Sequence, residues 1–319
     1  MKIAYLLKNP GIASRTPEDW KSSVISAEAN GSYTEEALQE VADADFLVVG
    51  LEPVIEEIFA RTKHLKLLQR LGVGYDNIDL EAASYYGIPV CNMPDFNAGT
   101  VAEHTIMLIL ALLRRVFESA LLMKGGQWPP STIAGQGIFD LQGKTLGSIG
   151  FGLIAQAVAK RVRPFEVNFL YYDQYRAPAT LEAESGASFS SLDDVLQHSD
   201  IVTIHLPLTP ETHHLISEAE FRKMKRNAIL INTARGAILD EKALVDALNE
   251  GMIAGAGLDV FTDEPLDPKH PLRRCPNVLL TPHVAGQTRE AMERMVAMML
   301  ENIQRVVRGE EPLYRVNHF

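Results

Sequence analysis

The sequence Thr145-Leu-Gly-Ser-Ile-Gly-Phe-Gly-Leu-Ile-Ala155 contains a short apolar run that ends in glycines and continues as a helical stretch. Its GxGxxA pattern at Gly150, Gly152 and Ala155 predicts a β-strand that turns sharply into a helix. Gly150 permits the turn, Gly152 lets the backbone approach a pyrophosphate, and Ala155 keeps helix and strand close together. The stretch therefore predicts a unit that binds a dinucleotide.

Two neighbouring features sharpen this prediction. The N–H groups at the helix start, around Leu153 and Ile154, would point toward the phosphates. Asp173 ends the next predicted strand, about 20 residues beyond the glycines, where a ribose-binding carboxylate belongs. Such a carboxylate accepts hydrogen bonds from both ribose hydroxyls and repels a 2′-phosphate, which favours NAD over NADP. The alternative is a tight strand-to-helix turn that binds no ligand.

Short apolar runs alternate with helical stretches on both sides of this motif. This alternation is typical of parallel sheets with crossover helices, and a chain of 319 residues exceeds the usual size of a single core. We therefore predict an α/β protein with two doubly wound parallel-sheet domains. The predicted strands are Lys2–Leu7, Phe46–Gly50, Leu65–Leu71, Ile88–Cys91, Thr145–Ile149, Asn168–Tyr172, Ile201–Leu206, Ala228–Asn232, Ala254–Leu258 and Val278–Leu280.

Several helices are also indicated. One long helix is expected from Thr100 to about Leu122, and a final helix from about Thr288 to Val307. Ser217 and Glu220 have the spacing of a capping box at a helix start. Asp240 and Gly251 are placed to begin and end the following helix. The Gly- and Pro-rich residues 125–143 look like an excursion from the core, and they are a candidate dimer arm.

The composition excludes several classes of function. The net charge of −11 disfavours nucleic acid and anionic membrane surfaces as partners. The two cysteines, Cys91 and Cys275, form no CxxC pair, so we expect no disulfide framework and no metal site, and a reducing compartment fits. The apolar stretch Thr105–Leu113 is too short to span a bilayer. These features predict a soluble, cytoplasmic protein.

Three side chains follow predicted strands in the second half of the chain and could act together on a 2-oxo acid. Arg235, in NTARG, carries a planar fork that suits a carboxylate. Glu264, in GLDVFTDEPL, would orient the imidazole of His283, in TPHVAG, and favour its charged form. The imidazolium could then protonate a carbonyl oxygen. The alternatives are a surface ion pair for Arg235 and a buried, backbone-satisfied ring for His283.

Two further positions have weaker signals. Asp259 ends its strand and could accept a hydrogen bond from a nicotinamide carboxamide, and capping of a helix or a loop is an equal alternative. Gly72 to Gly74 follow an early strand and could expose successive N–H groups to an anion. For these glycines a plain turn is the favoured interpretation.

With these motifs placed, the chain resembles the D-isomer-specific 2-hydroxyacid dehydrogenases over nearly its whole length. The resemblance rests on an ordered set of segments, namely residues 70–79, VAEH at 101–104, GFGLIA at 150–155, HLPLT at 205–209, NTARG at 232–236, GLDVFTDEPL at 257–266 and TPHVAG at 281–286. It implies a catalytic set of Arg235, Glu264 and His283. Leu153 stands where many members carry an arginine near the pyrophosphate.

The resemblance also implies a domain plan. A Rossmann coenzyme domain, residues 99–287, would be inserted into a flavodoxin-like substrate domain made of residues 1–98 and 288–319, with a homodimer formed through the coenzyme domain. NAD is the implied cofactor. Its contacts would include Thr100, His205, Pro207, Thr212, Thr233 and Asp259 besides the glycine motif and Asp173. The substrate would contact Arg70, Gly72, Val73 and Gly74.

The resemblance leaves the substrate open. Glu264 speaks against a formate dehydrogenase, because those relatives carry glutamine beside the histidine. Tyr75, Asp76 and Asn77 resemble the branch of glyoxylate, hydroxypyruvate and 3-phosphoglycerate enzymes, and Arg70 matches a position that phosphoglycerate dehydrogenases use. Two positions disfavour a phosphate: Glu52 is acidic, and Tyr85 replaces a second basic residue. An NAD-sensing corepressor with the same fold is a further alternative.

Overall fold

A computed structural model describes residues 1–7, 10–28, 32–128 and 130–319 of the chain. It contains twelve strands, β1 to β12, which are Lys2–Leu6, Lys21–Ile25, Phe46–Val49, Leu67–Arg70, Val90–Cys91, Thr145–Ile149, Asn168–Tyr172, Ala187–Phe189, Ile201–Ile204, Ile229–Asn232, Gly255–Leu258 and Val278–Leu280 in these described residues. The α-helices there, α1 to α12, are Glu35–Ala42, Glu56–Arg61, Leu80–Tyr85, Ala98–Leu113, Val116–Lys124, Pro130–Gly135, Leu153–Val162, Ala179–Ser185, Leu192–His198, Glu218–Lys223, Glu241–Asn249 and Arg289–Val307.

The chain forms two compact units. The first contains residues 1–96 and 289–319, and the second contains residues 97–288. These divisions, after residues 96 and 288, compare with the predicted divisions after residues 98 and 287. The chain thus leaves the first unit, completes the second, and returns to the first.

The sheet of the first unit has the order β2-β1-β3-β4-β5, with every neighbouring pair parallel. This is the doubly wound order of flavodoxin-like domains. All four residues of β3 are buried, with Leu47 and Val49 in one apolar cluster and Phe46 and Val48 in another that includes residues of α12. A strand covered on both faces needs no polar alternation, which explains the continuous apolar run that predicted it.

The sheet of the second unit has the order β12-β11-β10-β9-β6-β7-β8, again entirely parallel. The strand order reverses at β6, and ligands of open α/β sheets bind outside the carboxyl ends of the strands at such a point. The predicted fold class of two doubly wound parallel-sheet domains, with a Rossmann unit inserted into a flavodoxin-like one, is confirmed.

Two strands were not predicted, and both lie at sheet edges. β2 has the sequence KSSVI with only Ile25 buried, and β8 has the sequence ASF with only Ala187 buried. An edge strand of this kind carries little of the apolar periodicity that signals a strand, so its pairing is determined by the neighbouring strand rather than by its own sequence.

The long helix predicted from Thr100 to about Leu122 is wrong as a single element. α4 ends at Leu113, and Arg115 adopts a left-handed conformation (φ 47°) before α5 begins. The Arg115 guanidinium donates to the carbonyl oxygens of Gly137 and Gln136 at 3.2 and 3.1 Å. The break therefore lies where the chain leaves the core, and the helix-forming residues on either side give no sign of it.

The predicted helix signals elsewhere are confirmed. Ser217 and Glu220 form a capping box, Asp240 accepts a hydrogen bond from the Ala243 N–H at 3.0 Å, and Gly251 follows α11 with a positive φ. No helix in the described part of the chain has the length and apolar character needed to cross a membrane.

Candidate functional site

The glycine motif joins β6 to α7. Gly150 has φ +97°, and a Cβ there would lie 2.7 Å from the carbonyl oxygen of His205, so only glycine fits. At Gly152, the N-cap of α7, a Cβ would meet only open space. Leu153, the first residue of α7, is half exposed. The first turn of α7 is therefore open to a phosphate, and the long-range contacts of the motif are made by Gly150.

Register places three strand ends side by side around this motif, because Ile149 pairs with both Tyr172 and Ile204. Asp173 follows Tyr172, and its Oδ2 accepts a hydrogen bond from the Phe151 N–H at 2.7 Å. The carboxylate predicted to bind a ribose thus also fixes the backbone of the glycine loop.

The loop after β9 contains a polar atom without a partner in the described residues. The Nε2 atom of His205 lies 2.6 Å from the Thr203 hydroxyl, whereas its buried Nδ1 has no protein partner. Burial lowers the pKa of His205 to about 3, so the ring is neutral. A buried, unpaired ring nitrogen in the loop whose backbone packs against Gly150 is consistent with a ligand that approaches this loop.

The other residues expected to contact the cofactor are partly engaged within the protein. The Thr212 hydroxyl donates to the Pro207 carbonyl at 2.7 Å, which closes the loop. Thr233 is buried, with its hydroxyl 3.1 Å from that of Thr105. Thr100 lies in the first turn of α4. Their positions are compatible with contacts to a dinucleotide, and those contacts stay a prediction.

The catalytic residues predicted from sequence come together at the neighbouring strand ends. Asn232 pairs with Leu258, and Leu258 pairs with Leu280, so β10, β11 and β12 end side by side. The loops that follow carry Arg235, Glu264 and His283 respectively.

The hydrogen bond between Glu264 and His283 is the centre of this site. Glu264 Oε2 lies 2.7 Å from His283 Nδ1, and both side chains remain about 30% exposed, at 28% and 30%. Burial alone would raise the pKa of Glu264, but contact with His283, the N–H of Phe261 and the charge of Arg235 bring it below its ordinary value. An ionised Glu264 accepts a hydrogen bond from the Nδ1–H group of His283, which leaves Nε2 for proton transfer.

Arg235 is held beside this pair by two residues that sequence reasoning missed. Asn232 accepts from the Ala234 N–H at 3.0 Å and donates to the Arg235 carbonyl at 2.8 Å. A Cβ at Gly236 would lie 1.9 Å from the carbonyl carbon of Phe261, so glycine is required where the two loops touch. Both residues belong to the NTARG segment, of which Asn232 is the first residue and Gly236 the last.

Asp259 occupies a different setting from the one expected for a carboxamide contact. Its side chain is 1% exposed. Oδ1 accepts from the Thr281 hydroxyl at 2.5 Å and from the Val284 N–H at 3.0 Å, and Oδ2 accepts from the Ala285 N–H at 2.8 Å. The structure therefore favours the alternative of loop capping for Asp259.

The residues expected to bind substrate lie in the first unit, at the end of β4. Arg70 is buried, and its Nη1 donates to the Leu71 carbonyl at 2.7 Å. A Cβ at Gly72 would lie 2.7 Å from this Nη1, so the guanidinium packs across the glycine. The Val73 carbonyl accepts from Asn92 at 2.8 Å. Gly74 follows in the same loop.

The described residues contain no group of three or more His, Cys, Asp or Glu side chains that could hold a metal ion.

Comparisons with known proteins show the family to which these motifs belong. Residues 106–285 match the family model described as D-isomer specific 2-hydroxyacid dehydrogenase, NAD binding domain. The chain is 44% identical over 288 residues to a glyoxylate reductase of Thermofilum pendens, which covers 89% of this chain and 84% of that protein. It is 41% identical over 284 residues to a D-3-phosphoglycerate dehydrogenase of Methanocaldococcus jannaschii, which covers 88% of this chain and 53% of that protein.

A solved structure is also similar. A glyoxylate reductase from Paecilomyes thermophila superimposes with a TM-score of 0.86 at 30% identity, over 99% of this chain and 98% of that one. Strand order, the dinucleotide motif and these matches agree, and the chain belongs to the D-isomer specific 2-hydroxyacid dehydrogenase family, whose members are NAD-dependent oxidoreductases that act on CH–OH groups.

Proposed function

We propose that this enzyme uses NADH to reduce a small, unphosphorylated 2-oxo acid, with glyoxylate and hydroxypyruvate as the preferred substrates. The main observation behind this proposal is the Glu264–His283 pair. An imidazole 2.7 Å from an ionised carboxylate is suited to protonating a carbonyl oxygen. The similarity to glyoxylate reductases supports the choice of substrate.

The residues present fit NAD. Gly150 and Gly152 form the turn and the open approach, the start of α7 offers its N–H groups to the pyrophosphate, and Asp173 offers a carboxylate to the ribose. The unpartnered Nδ1 of His205 offers one more polar contact. When bound, NADH supplies the hydride for C2 of the substrate.

The protein side chains supply the rest of the reaction. Arg235 binds the substrate carboxylate through its planar fork, which fixes the orientation of the carbonyl. As C2 receives the hydride, the carbonyl π electrons move to oxygen, and this oxygen takes a proton from Nε2 of His283. Glu264 stabilises the imidazolium before transfer. In the reverse direction the neutral ring accepts the hydroxyl proton.

A second candidate substrate is 3-phosphoglycerate. Arg70, at the end of β4, provides a buried positive charge, and a D-3-phosphoglycerate dehydrogenase is among the relatives. Glu52, after β3, disfavours a phosphorylated substrate. It is only 3% exposed, and its Oε1 has no partner among the described residues. The Glu52 carboxylate and a substrate phosphate would repel each other strongly in a low-dielectric site. We therefore favour unphosphorylated substrates.

The test is a comparison of kcat/KM for NADH oxidation with glyoxylate, hydroxypyruvate, pyruvate, 2-oxoglutarate and 3-phosphohydroxypyruvate. We expect glyoxylate or hydroxypyruvate to give the highest value. A higher value for 3-phosphohydroxypyruvate would replace the proposed substrate with the phosphorylated one.

Asp173 should determine the choice between NADH and NADPH. Asp173→Asn keeps an oxygen that can accept from the Phe151 N–H but removes the negative charge. We expect NADH binding to weaken by about 10- to 100-fold, because a charge-assisted hydrogen bond contributes about 1.5–3 kcal/mol, while NADPH binding is affected less. Dissociation constants from nucleotide fluorescence would show this, and an unchanged preference would remove Asp173 from the cofactor site.

Replacing Glu264 by Gln should move the pH profile of reduction. The lowered pKa of Glu264 keeps it ionised at neutral pH, and its charge favours the protonated imidazole of His283. A neutral amide lacks the charge that stabilises the imidazolium. We expect the alkaline decline of kcat/KM to begin at lower pH in Glu264→Gln than in the wild type. Superimposable profiles would contradict the paired acid.

We also propose that the chain forms a homodimer through residues 113–139. α5 buries none of its nine residues, although it carries Phe117, which is 59% exposed. Trp128 in the following loop is 80% exposed. Large apolar side chains exposed on a helix and in the loop after it are typical of an interaction site, and a second copy of the same chain fits a symmetric apolar contact. Residue 129, within the arm predicted over residues 125–143, lies outside the described residues.

Light scattering after gel filtration tests the dimer. The wild type should elute with twice the mass of one chain, and Phe117→Glu should elute as a monomer. Tyr85→Glu is the matched control, because Tyr85 is an exposed aromatic residue of the first unit. A monomeric wild type, or an unchanged mass for Phe117→Glu, would contradict the proposed interface.

A further inference from the structure

Asp259 accepts hydrogen bonds from three consecutive residues of the loop that contains His283. The backbone N–H of His283 donates to the Asp259 carbonyl at 2.8 Å, and the next two N–H groups, of Val284 and Ala285, donate to the two carboxylate oxygens. A carboxylate that accepts several N–H groups in a buried setting binds them strongly. The backbone around His283 is thus fixed by one residue from the end of β11.

His283 needs such a restraint. Its backbone has φ +54°, the left-handed region that side-chain-bearing residues rarely adopt. A residue held in this region persists only when its surroundings over-determine it. The same conformation presents Nδ1 to Glu264 at 2.7 Å, so a relaxed backbone would move the ring away from its partner.

The network continues through Thr281 to the helix α4. The single hydroxyl proton of Thr281 is donated to Asp259 Oδ1. The Nε2 atom of His104 lies 3.0 Å from the same hydroxyl oxygen, so Nε2 must carry a proton and donate it. Burial lowers the pKa of His104 despite the nearby charge of Asp259, which leaves the ring neutral with its proton on Nε2.

We propose that His104, Thr281 and Asp259 form a positioning network that holds the His283 ring against Glu264 for proton transfer. This inference rests on the proposed function only in taking His283 as the proton donor. His104 donates a hydrogen bond to the Thr281 hydroxyl oxygen, so the hydroxyl proton is directed toward Asp259. Asp259 in turn accepts hydrogen bonds from the backbone of residues 283–285. None of the three side chains needs to touch the substrate.

The sharpest test compares Thr281→Val with Thr281→Ser. Valine keeps the shape of threonine but removes the hydroxyl that joins His104 to Asp259, whereas serine keeps the hydroxyl. We expect Thr281→Val to lower kcat on the order of 10²-fold, because misplacement of a catalytic group by about 1 Å has this effect. The KM for the oxo acid and the dissociation constant for NADH should change little. Thr281→Ser should retain most of the wild-type kcat.

A second readout does not depend on turnover. The ring resonances of His283, identified by their absence in His283→Asn, report its titration by NMR. We expect the midpoint to shift in Thr281→Val and to stay near the wild-type value in Thr281→Ser. If the wild type reduced no oxo acid, the proposed function would fail, while this titration would still decide whether the network positions the ring.

A second pair of variants serves if Thr281→Val does not fold. His104→Gln places an amide N–H near the position of Nε2, and His104→Leu removes the donor. We expect a loss of kcat and a shifted titration in His104→Leu and recovery of both in His104→Gln. Equal losses in both members of either pair, or wild-type kcat and titration in the hydroxyl-free or donor-free variant, would overturn the proposal.

Discussion

Replacement of His283 by Asn should lower kcat by about 10²- to 10⁴-fold, the range that general acid catalysis contributes. The asparagine amide can occupy the position of Nδ1 and donate to Glu264, which His283 now meets at 2.7 Å. It offers no equivalent of Nε2, so the variant keeps the pairing and loses the acid. Steady-state NADH oxidation would measure the loss, and NADH titration should give an unchanged dissociation constant.

A matched control is His198→Asn. His198 ends α9 with an exposed side chain and takes no part in the site. We expect this variant to turn over at the wild-type rate. Wild-type turnover in His283→Asn as well would remove the proton-donor role, and with it the proposed mechanism.

Replacement of Arg235 should produce the second largest effect. Arg235→Gln removes the charge that would bind the substrate carboxylate, and truncating one partner of such a pair costs about 2–5 kcal/mol. We therefore expect kcat/KM to fall by roughly 10²- to 10³-fold, mainly through a higher KM. Arg235→Lys keeps the charge but loses the planar fork, and should fall about 10- to 100-fold.

The control for Arg235 is Arg226→Lys, at an exposed position shortly before β10. Kinetics with glyoxylate and hydroxypyruvate would separate KM from kcat for each variant. An Arg235→Gln enzyme with the wild-type KM would show that the carboxylate is bound elsewhere.

The amino-acid sequence predicts the strands best where both faces of the strand are buried, because its positions are then mostly apolar. Strands such as β3 and β10, buried along their full length, stand out as continuous apolar runs. Parallel pairing then brings the loops that carry Arg235, Glu264 and His283 to one edge of the sheet. The edge strands β2 and β8 were missed because their side chains are mostly exposed. The break at Arg115 depends on carbonyl groups more than 20 residues away, at Gln136 and Gly137.

Within the candidate site, residue type and position after a strand singled out Arg235, Glu264 and His283, but not the contacts that support them. The role of Asp259 depends on Thr281 and on the conformation of His283, and that of His104 depends on where α4 packs. Gly236 matters only because the backbone of Phe261 lies against it. Such relations join distant segments of the chain, and no local pattern contains them.

The most direct test of the proposed reaction is to quantify the 2-hydroxy acid formed against the NADH consumed when the wild-type enzyme is given glyoxylate or hydroxypyruvate. The proposed mechanism predicts one glycolate or glycerate for each NADH oxidised, and His283→Asn should form product correspondingly more slowly. NADH that binds tightly but is not oxidised by any of the five oxo acids would contradict it.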